Sequence, residues 1–372
     1  MTREQKPDRP LRVLLVRLSA IGDCLHAAPV ASALRRAHPD AFIGWAVQEP
    51  AATLLRGYAG VDRFHLYPRR ARSLGAHLDE LSRFRRELRS CRYDAALDVQ
   101  GLTKSGLVAW WSGAGQRIGF RGGPAMGSRE LNALFLNRRF AVDPEVRHVV
   151  DRNLALVSAS GLVADEHAAA EWRLPDYAEP GPLSFLERHG LREGRYAVAS
   201  PGTIWRTKRW PPRHFAAAVR RLGSDRGLPV VVAWAGEDER RAAAEIEASA
   251  GDGCRVLLAP PTDLRELATL LRRAVLFLGC DSGPAHLAAA LGVPCVSVFG
   301  PTDPARNGPY GPQSTAVQLD QRLDCQPCWR RTCRRGDFAC LERLDADRVV
   351  SACLARLDGQ APPWCARRDS NP

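Results

Sequence analysis

Short apolar runs alternate along this chain with glycine-bearing polar turns and with stretches of helical spacing. LRVLLVR (11–17) is the first run; SAIGD follows, and then Leu25, Val30 and Leu34 recur at helical intervals. AFIGWAV (41–47) and DAALDVQ, from Asp94, repeat the pattern. A second series comprises RYAVAS (195–200), PVVVAWA (229–235), CRVLLA (254–259), AVLFLGC (274–280) and VPCVSVFG (293–300). Runs that are apolar on both faces suit buried parallel strands, and strand–turn–helix alternation predicts a parallel α/β sheet. The pattern weakens over 164–194, where Pro175, Pro180, Gly181 and Pro182 mark a linker. The expectation is two Rossmann-like α/β domains, 11–178 and 179–358, with a flexible tail at 1–10 and a C-terminal tail at 359–372. Such a pair binds its ligand in the cleft between the C-terminal edges of the sheets.

The stretch 69–92 is dense in arginine. Leu74, Leu78, Leu81 and Leu88 recur at helical spacing while Arg83, Arg85, Arg86 and Arg89 crowd the remainder. This predicts an amphipathic basic helix, preceded by a loop carrying Arg69, Arg70 and Arg72. The chain has no uninterrupted apolar window of about 18 residues, as a spanning helix requires. Arg12, Arg17 and Asp23 break the first apolar run, so it reads as a buried strand and not as a secretory signal, and the protein as cytoplasmic.

The 372 residues carry 53 Lys+Arg against 41 Asp+Glu, a net charge of +12. That excess points to nucleic acid, an anionic membrane surface or phosphorylated substrates as partners. Only three of the basic residues are lysine: Lys6, Lys104 and Lys208. Against that arginine bias, Lys104 and Lys208 stand out. Of 11 cysteines, Cys24, Cys91, Cys254, Cys280 and Cys295 are isolated and read as small buried hydrophobes. An odd total argues against a disulfide framework.

Four motifs sit just after predicted strands. Ser19-Ala20-Ile21-Gly22-Asp23 gives a tight turn and a carboxylate at a helix start, either an N-cap or a chemical group. The spacing is not that of the dinucleotide fingerprint. Asp98-Val99-Gln100-Gly101-Leu102-Thr103-Lys104-Ser105 turns at Gly101 and offers polar groups, or is an ordinary turn with a solvated lysine. The loop Ser200–Pro211 carries Thr203, Arg206, Thr207, Lys208 and Arg209, a plausible anion site or a solvated basic loop. Gly279-Cys280-Asp281-Ser282-Gly283-Pro284-Ala285-His286 opens a helix whose N–H groups suit a diphosphate, with His286 one turn in.

Together these motifs resemble the heptosyltransferases of lipopolysaccharide core synthesis, glycosyltransferase family 9. SAIGDCLHAAP, YDAALDVQGLTKSGL (93–107), HVVDRNLAL (148–156) and CDSGPAHLAAALGVPCVSVFGPTDP (280–304) look most like the heptosyltransferase I branch, over Leu11 to about Leu357. The resemblance implies a GT-B fold of two domains facing a central cleft. It implies an inverting reaction, without a metal or other cofactor, that moves heptose from ADP-L-glycero-D-manno-heptose to Kdo of lipid A. Asp23 matches the catalytic aspartate. Thr203, Lys208, Glu237, Asp281, Ser282, Gly283 and His286 match the donor side, with Lys208 on phosphate, Glu237 on ribose and Asp281 on heptose hydroxyls. Ser19, Gly22, Arg69, Arg70, Arg72, Gln100, Lys104 and Arg152 fall on the acceptor side. Arg17 and Ala20 stand where some members carry Lys and Ser.

The acceptor is anionic, so Arg69, Arg70, Arg72 and the basic helix are expected to receive it and to hold the protein at the inner-membrane surface. Cys325, Cys328, Cys333 and Cys340 lie within one basic loop and are a candidate structural zinc set, against free or redox-active thiols. The protein is taken as a monomer without a nucleic-acid partner. Two alternatives stand beside this reading. One is a family 9 transferase acting on another acceptor, as heptosyltransferases II and III do. The other is a basic, non-catalytic protein that docks on membrane or nucleic acid, although no aromatic–basic nucleic-acid module is visible.

Overall fold

The computed structural model describes residues 9–69, 73–122, 130–251, 253–360 and 362. The chain divides into two compact units, Met1–Pro175 and Asp176–Pro372. The first is built on β1 (Arg12–Val16), β2 (Phe42–Val47), β3 (Arg63–Leu66), β4 (Ala95–Asp98), β5 (Gln116–Phe120) and β6 (Arg138–Phe140). They form one sheet in the order β3-β2-β1-β4-β5-β6, parallel throughout. The second unit holds β7 (Ala197–Ser200), β8 (Val230–Val232), β9 (Val256–Leu258), β10 (Leu276–Cys280), β11 (Cys295–Val298) and β12 (Ser314–Val317). Its order, β12-β11-β10-β7-β8-β9, is the same winding repeated.

Each sheet has its own core. Leu14, Val16, Ala46, Leu88, Ala96 and Val108 pack in the first; Ala197, Phe215, Val230, Leu276, Val296 and Val349 pack in the second. The central strands lie between helices on both faces, which is why their sequences are largely apolar apart from residues at their ends such as Arg12, Asp98 and Ser200. Strands absent from the sequence expectation are β3, β5, β6 and β12. RFHL, QRIGF and RRF carry arginine, and β3, β6 and β12 are edge strands, exposed enough to lose the continuous apolar signal.

The winding decides where polar loops meet. Strand order reverses between β1 and β4 and again between β7 and β10, and loops leaving neighbouring strands at such a switch point open a crevice at the carboxyl edge. In the first unit this sets the turn before the helix Ile21–Ala37 beside the turn before the helix Thr103–Trp111. In the second it sets the 201–211 loop beside the start of the helix Gly283–Ala290.

Candidate active site

In the first unit, β1 ends at Val16 and the chain turns into its helix at Ile21. Asp23 lies in the first helical turn, where its Oδ2 accepts the backbone N–H of Ala20 at 3.3 Å. That bond is the capping role a carboxylate plays at this position. It does not exhaust the group. The side chain remains 42% exposed, and the Arg17 guanidinium sits 2.5 Å from the same oxygen. Arg17 is fixed in turn by donating to the Val99 carbonyl across the switch point, at 3.1 Å. A partly exposed carboxylate beside an anchored cation at a sheet's carboxyl edge can accept a proton from an incoming hydroxyl.

Behind this pair, Asp98 is completely buried. Its Oδ1 accepts from the N–H groups of Gln100 (2.9 Å) and Gly101 (3.0 Å), and its Oδ2 from Ser105 Oγ at 3.0 Å. Burial pushes its carboxyl upward, and those donors oppose the shift. Gly101 turns with φ +75°, a conformation that favours glycine. The turn aims Gln100 at Leu18, whose N–H donates to Gln100 Oε1 at 2.7 Å. Gln100 Oε1 therefore braces the Asp23 loop from across the switch point. Lys104 reaches Gln48 Oε1 at 3.5 Å. Arg152 is buried, donates to the Val146 carbonyl at 3.2 Å, stacks over Phe120, and has its pKa lowered by burial. Ser19 is partly exposed, Gly22 buried and Arg69 exposed; Arg70 and Arg72 lie outside the described residues.

In the second unit, Lys208 and Asp281 come together. Lys208 Nζ is 2.7 Å from Asp281 Oδ2, and Thr302 Oγ1 donates to the same oxygen at 2.6 Å. His286 Nε2 stands 3.9 Å from Asp281 Oδ1. Thr203 is nearly buried, and its hydroxyl donates to the Asp281 carbonyl at 3.5 Å. Ser282 is the N-cap residue of the helix Gly283–Ala290, with Pro284 in its first turn. The N–H groups of that turn, together with Lys208, make an anion-attracting site. Lys208 Nζ also lies over the Trp205 ring at 4.6 Å.

Glu237 does not join this group. It is on the exposed side of its helix, paired with Arg240, which holds its carboxyl below the usual range. Two positions on, Glu239 accepts the Ala235 N–H at 2.9 Å and lies against Gly202, where a Cβ would meet its carboxylate at 2.0 Å. Burial raises its pKa. The carboxylate turned toward the Lys208 loop is therefore Glu239, because two positions along a helix carry a side chain to the opposite face. Sequence reading also missed Arg17 as the partner of Asp23 and Thr302 as the partner of Asp281. A charge closing an otherwise apolar strand was the available signal for Arg17.

Of the isolated cysteines, Cys24, Cys91, Cys280 and Cys295 are buried as expected and Cys254 is only partly buried; burial pushes Cys24, Cys280 and Cys295 up to about 12. The zinc expectation is not met by the geometry. Among the described residues, no group of three or more His, Cys, Asp or Glu side chains is arranged to hold a metal ion. Cys325, Cys328, Cys333 and Cys340 are free thiols spread around a cavity of about 280 Å³. Their loop is tied to the 201–211 loop and to the turn just past the end of β11: Thr207 Oγ1 donates to the Arg330 carbonyl at 2.8 Å, and Gln326 Nε2 to that of Gly300 at 2.6 Å.

Two doubly wound parallel sheets, with a carboxylate site in one unit and a cationic helix-start site in the other, define a GT-B glycosyltransferase. Residues 81–339 match the model of glycosyltransferase family 9 (heptosyltransferase). Lipopolysaccharide heptosyltransferase 1 of Pseudomonas aeruginosa is 30% identical over 368 residues, covering 93% of this chain and 98% of that protein. The Escherichia coli K12 heptosyltransferase 1 is 30% identical over 308 residues, 81% of this chain and 91% of that one. Among solved structures, E. coli heptosyltransferase WaaC with ADP superposes with a TM-score of 0.70 at 28% identity, over 82% of this chain and 92% of that one. The chain belongs to glycosyltransferase family 9, and it is an enzyme of the glycosyltransferase class.

Proposed function

We propose that this protein transfers heptose from ADP-L-glycero-D-manno-heptose to a Kdo residue of lipid A, with inversion at the anomeric carbon. The observation that carries the reading is that similarity to a heptosyltransferase 1 runs through 93% of the chain, so the acceptor half is matched as well as the donor half. Asp23 takes the proton of the attacking acceptor hydroxyl as that oxygen bonds to the anomeric carbon. The bond from that carbon to the ADP oxygen breaks, and the electron pair leaves with ADP. Lys208 and the N–H groups at the start of the helix Gly283–Ala290 balance the charge gathering on the diphosphate. Asp281, held by Thr302, is placed for heptose hydroxyls once Lys208 turns to phosphate. Glu239 takes the ribose role. Arg69 and the arginine-bearing helix Leu74–Ser90 attract the anionic acceptor and its membrane. Among the described residues, no helix is long and apolar enough to cross a membrane.

The test is incubation of the protein with ADP-heptose and a Kdo2–lipid A analogue, following ADP release and product mass. A gain of one heptose supports donor and acceptor together, and Asp23→Asn should then lower turnover about 10²- to 10⁴-fold with ADP binding retained. No gain, with the donor still bound, moves the acceptor to an already heptosylated core. No donor binding overturns the reading.

A further inference from the structure

The helix Leu74–Ser90 carries one apolar stripe with two fates. At its C-terminal end the stripe is core: Phe84 is 3% exposed and Leu88 fully buried. At its N-terminal end, from Leu74 to Arg83, no residue is buried, although Leu74, Leu78 and Leu81 continue the same i, i+4, i+7 spacing. Leu74 is 75% and Leu78 53% exposed. The bare segment does not stand alone. The Arg85 guanidinium lies 5.8 Å from the centre of the Trp110 ring, and Trp110 meets Phe135 at 6.4 Å. Trp110 is half exposed, and Leu131 and Leu134, around the 3-10 turn Asn132–Phe135, are more exposed still. Leucines presented to water by two neighbouring segments beside a half-exposed tryptophan form more apolar surface than an isolated residue would.

Arginines outnumber acids around this surface. Arg69, Arg83, Arg85, Arg86 and Arg89 are all exposed, against exposed Asp79 and Glu130 and the half-buried Glu80 and Glu87. Leucines and a tryptophan flanked by arginines match the margin of an anionic bilayer: the apolar groups enter the headgroup–acyl boundary while the guanidinium groups reach phosphate. We propose that the Leu74–Arg83 half of this helix, together with Trp110 and Leu134, is an interfacial wedge that inserts into the surface of an anionic membrane. This deepens the reading of a lipid-linked acceptor and rests on it. Insertion holds the protein by apolar contact as well as by charge, so adhesion survives salt that screens the arginines.

The experiment uses the full chain and two kinds of vesicle, phosphatidylglycerol with phosphatidylethanolamine, and phosphatidylcholine alone. The protein is expected to partition onto the anionic vesicles and to retain part of that binding at high salt. Leu74→Gln with Leu78→Gln, both at exposed positions, should weaken partition about tenfold or more. Brominated lipid should quench a fluorescence component that Trp110→Phe removes. Equal partition of the double variant, complete release by salt without quenching, or a lipid-free dimer dispersed by the same substitutions would overturn the proposal. Transfer to a deacylated, water-soluble acceptor separates the two readings. The double variant should keep that activity while losing vesicle binding. If no form of the protein has transfer activity but vesicle binding still depends on Leu74 and Leu78, the heptosyltransferase reading fails and the wedge stands.

Discussion

Lys208 and Asp281 form an ion pair of 2.7 Å in which the acid is only 3% exposed, so each is the other's charge compensation inside the second unit. Removing the lysine alone strands a buried carboxylate. Lys208→Met should therefore destabilise the fold by about 3 kcal/mol as well as weaken ADP binding. Adding Asp281→Asn should restore most of the stability and none of the turnover. Urea unfolding and ADP titration of the two single variants and the double variant check this. Equal stability of all three would mean that the pair is not compensating a buried charge.

Arg17 anchors Asp23 from the strand side. Arg17→Met leaves the carboxylate without its cation, and turnover is expected to drop about tenfold while ADP affinity stays unchanged. Arg17→Lys should recover part of the loss, because the charge returns without the second donor that reaches the Val99 carbonyl. Steady-state kinetics with both substrates varied separate this from a donor-side effect.

The two glutamates at the start of the helix Gly236–Ala250 make opposite predictions. Glu237 is an exposed partner of Arg240, and Glu237→Gln should leave donor affinity as it is. Glu239 lies against Gly202, and Glu239→Gln should weaken the donor about tenfold. Calorimetric titration with ADP-heptose distinguishes them, and the reverse ranking would return the ribose role to Glu237.

Asp98 makes stability depend on pH in a stated direction. Burial raises its carboxyl in the folded chain, so the folded state holds the proton more tightly than the unfolded state does. Its contribution is full below the unfolded value of about 3.9 and declines as pH rises through the raised folded value. Asp98→Asn should remove that decline. Urea midpoints measured from acid to neutral pH should converge toward the variant's behaviour at the acid end. A constant gap between the two proteins across the range would show that Asp98 does not titrate with folding.

The inner strands were legible because helices cover both faces, leaving runs such as VLLV (13–16) and LFLGC without a charged residue. RRF at β6 has no such run: Arg138 and Arg139 are exposed at a sheet edge, and only pairing with β5 makes the segment a strand. Residue type and chain position singled out Asp23, Lys208, Asp281 and His286 as candidates, since each follows a recognisable strand. Which groups they touch depends on the winding. Arg17 bonds Val99 across 82 positions and Thr207 bonds Arg330 across 123, separations that no local pattern encodes. The four cysteines show the converse: close spacing in the chain brought them round one cavity, but among the described residues not into an arrangement that holds a metal ion.

The separate cores of the two sheets have a consequence for descent. Packing around Leu88 and Val108 shares no buried residue with packing around Phe215 and Val349, so substitutions in one half need no matching change in the other's interior. Each half can therefore take up interior substitutions at its own pace, and a chimera that carries a relative's first 175 residues is expected to keep the second core intact, as its urea unfolding curve would check.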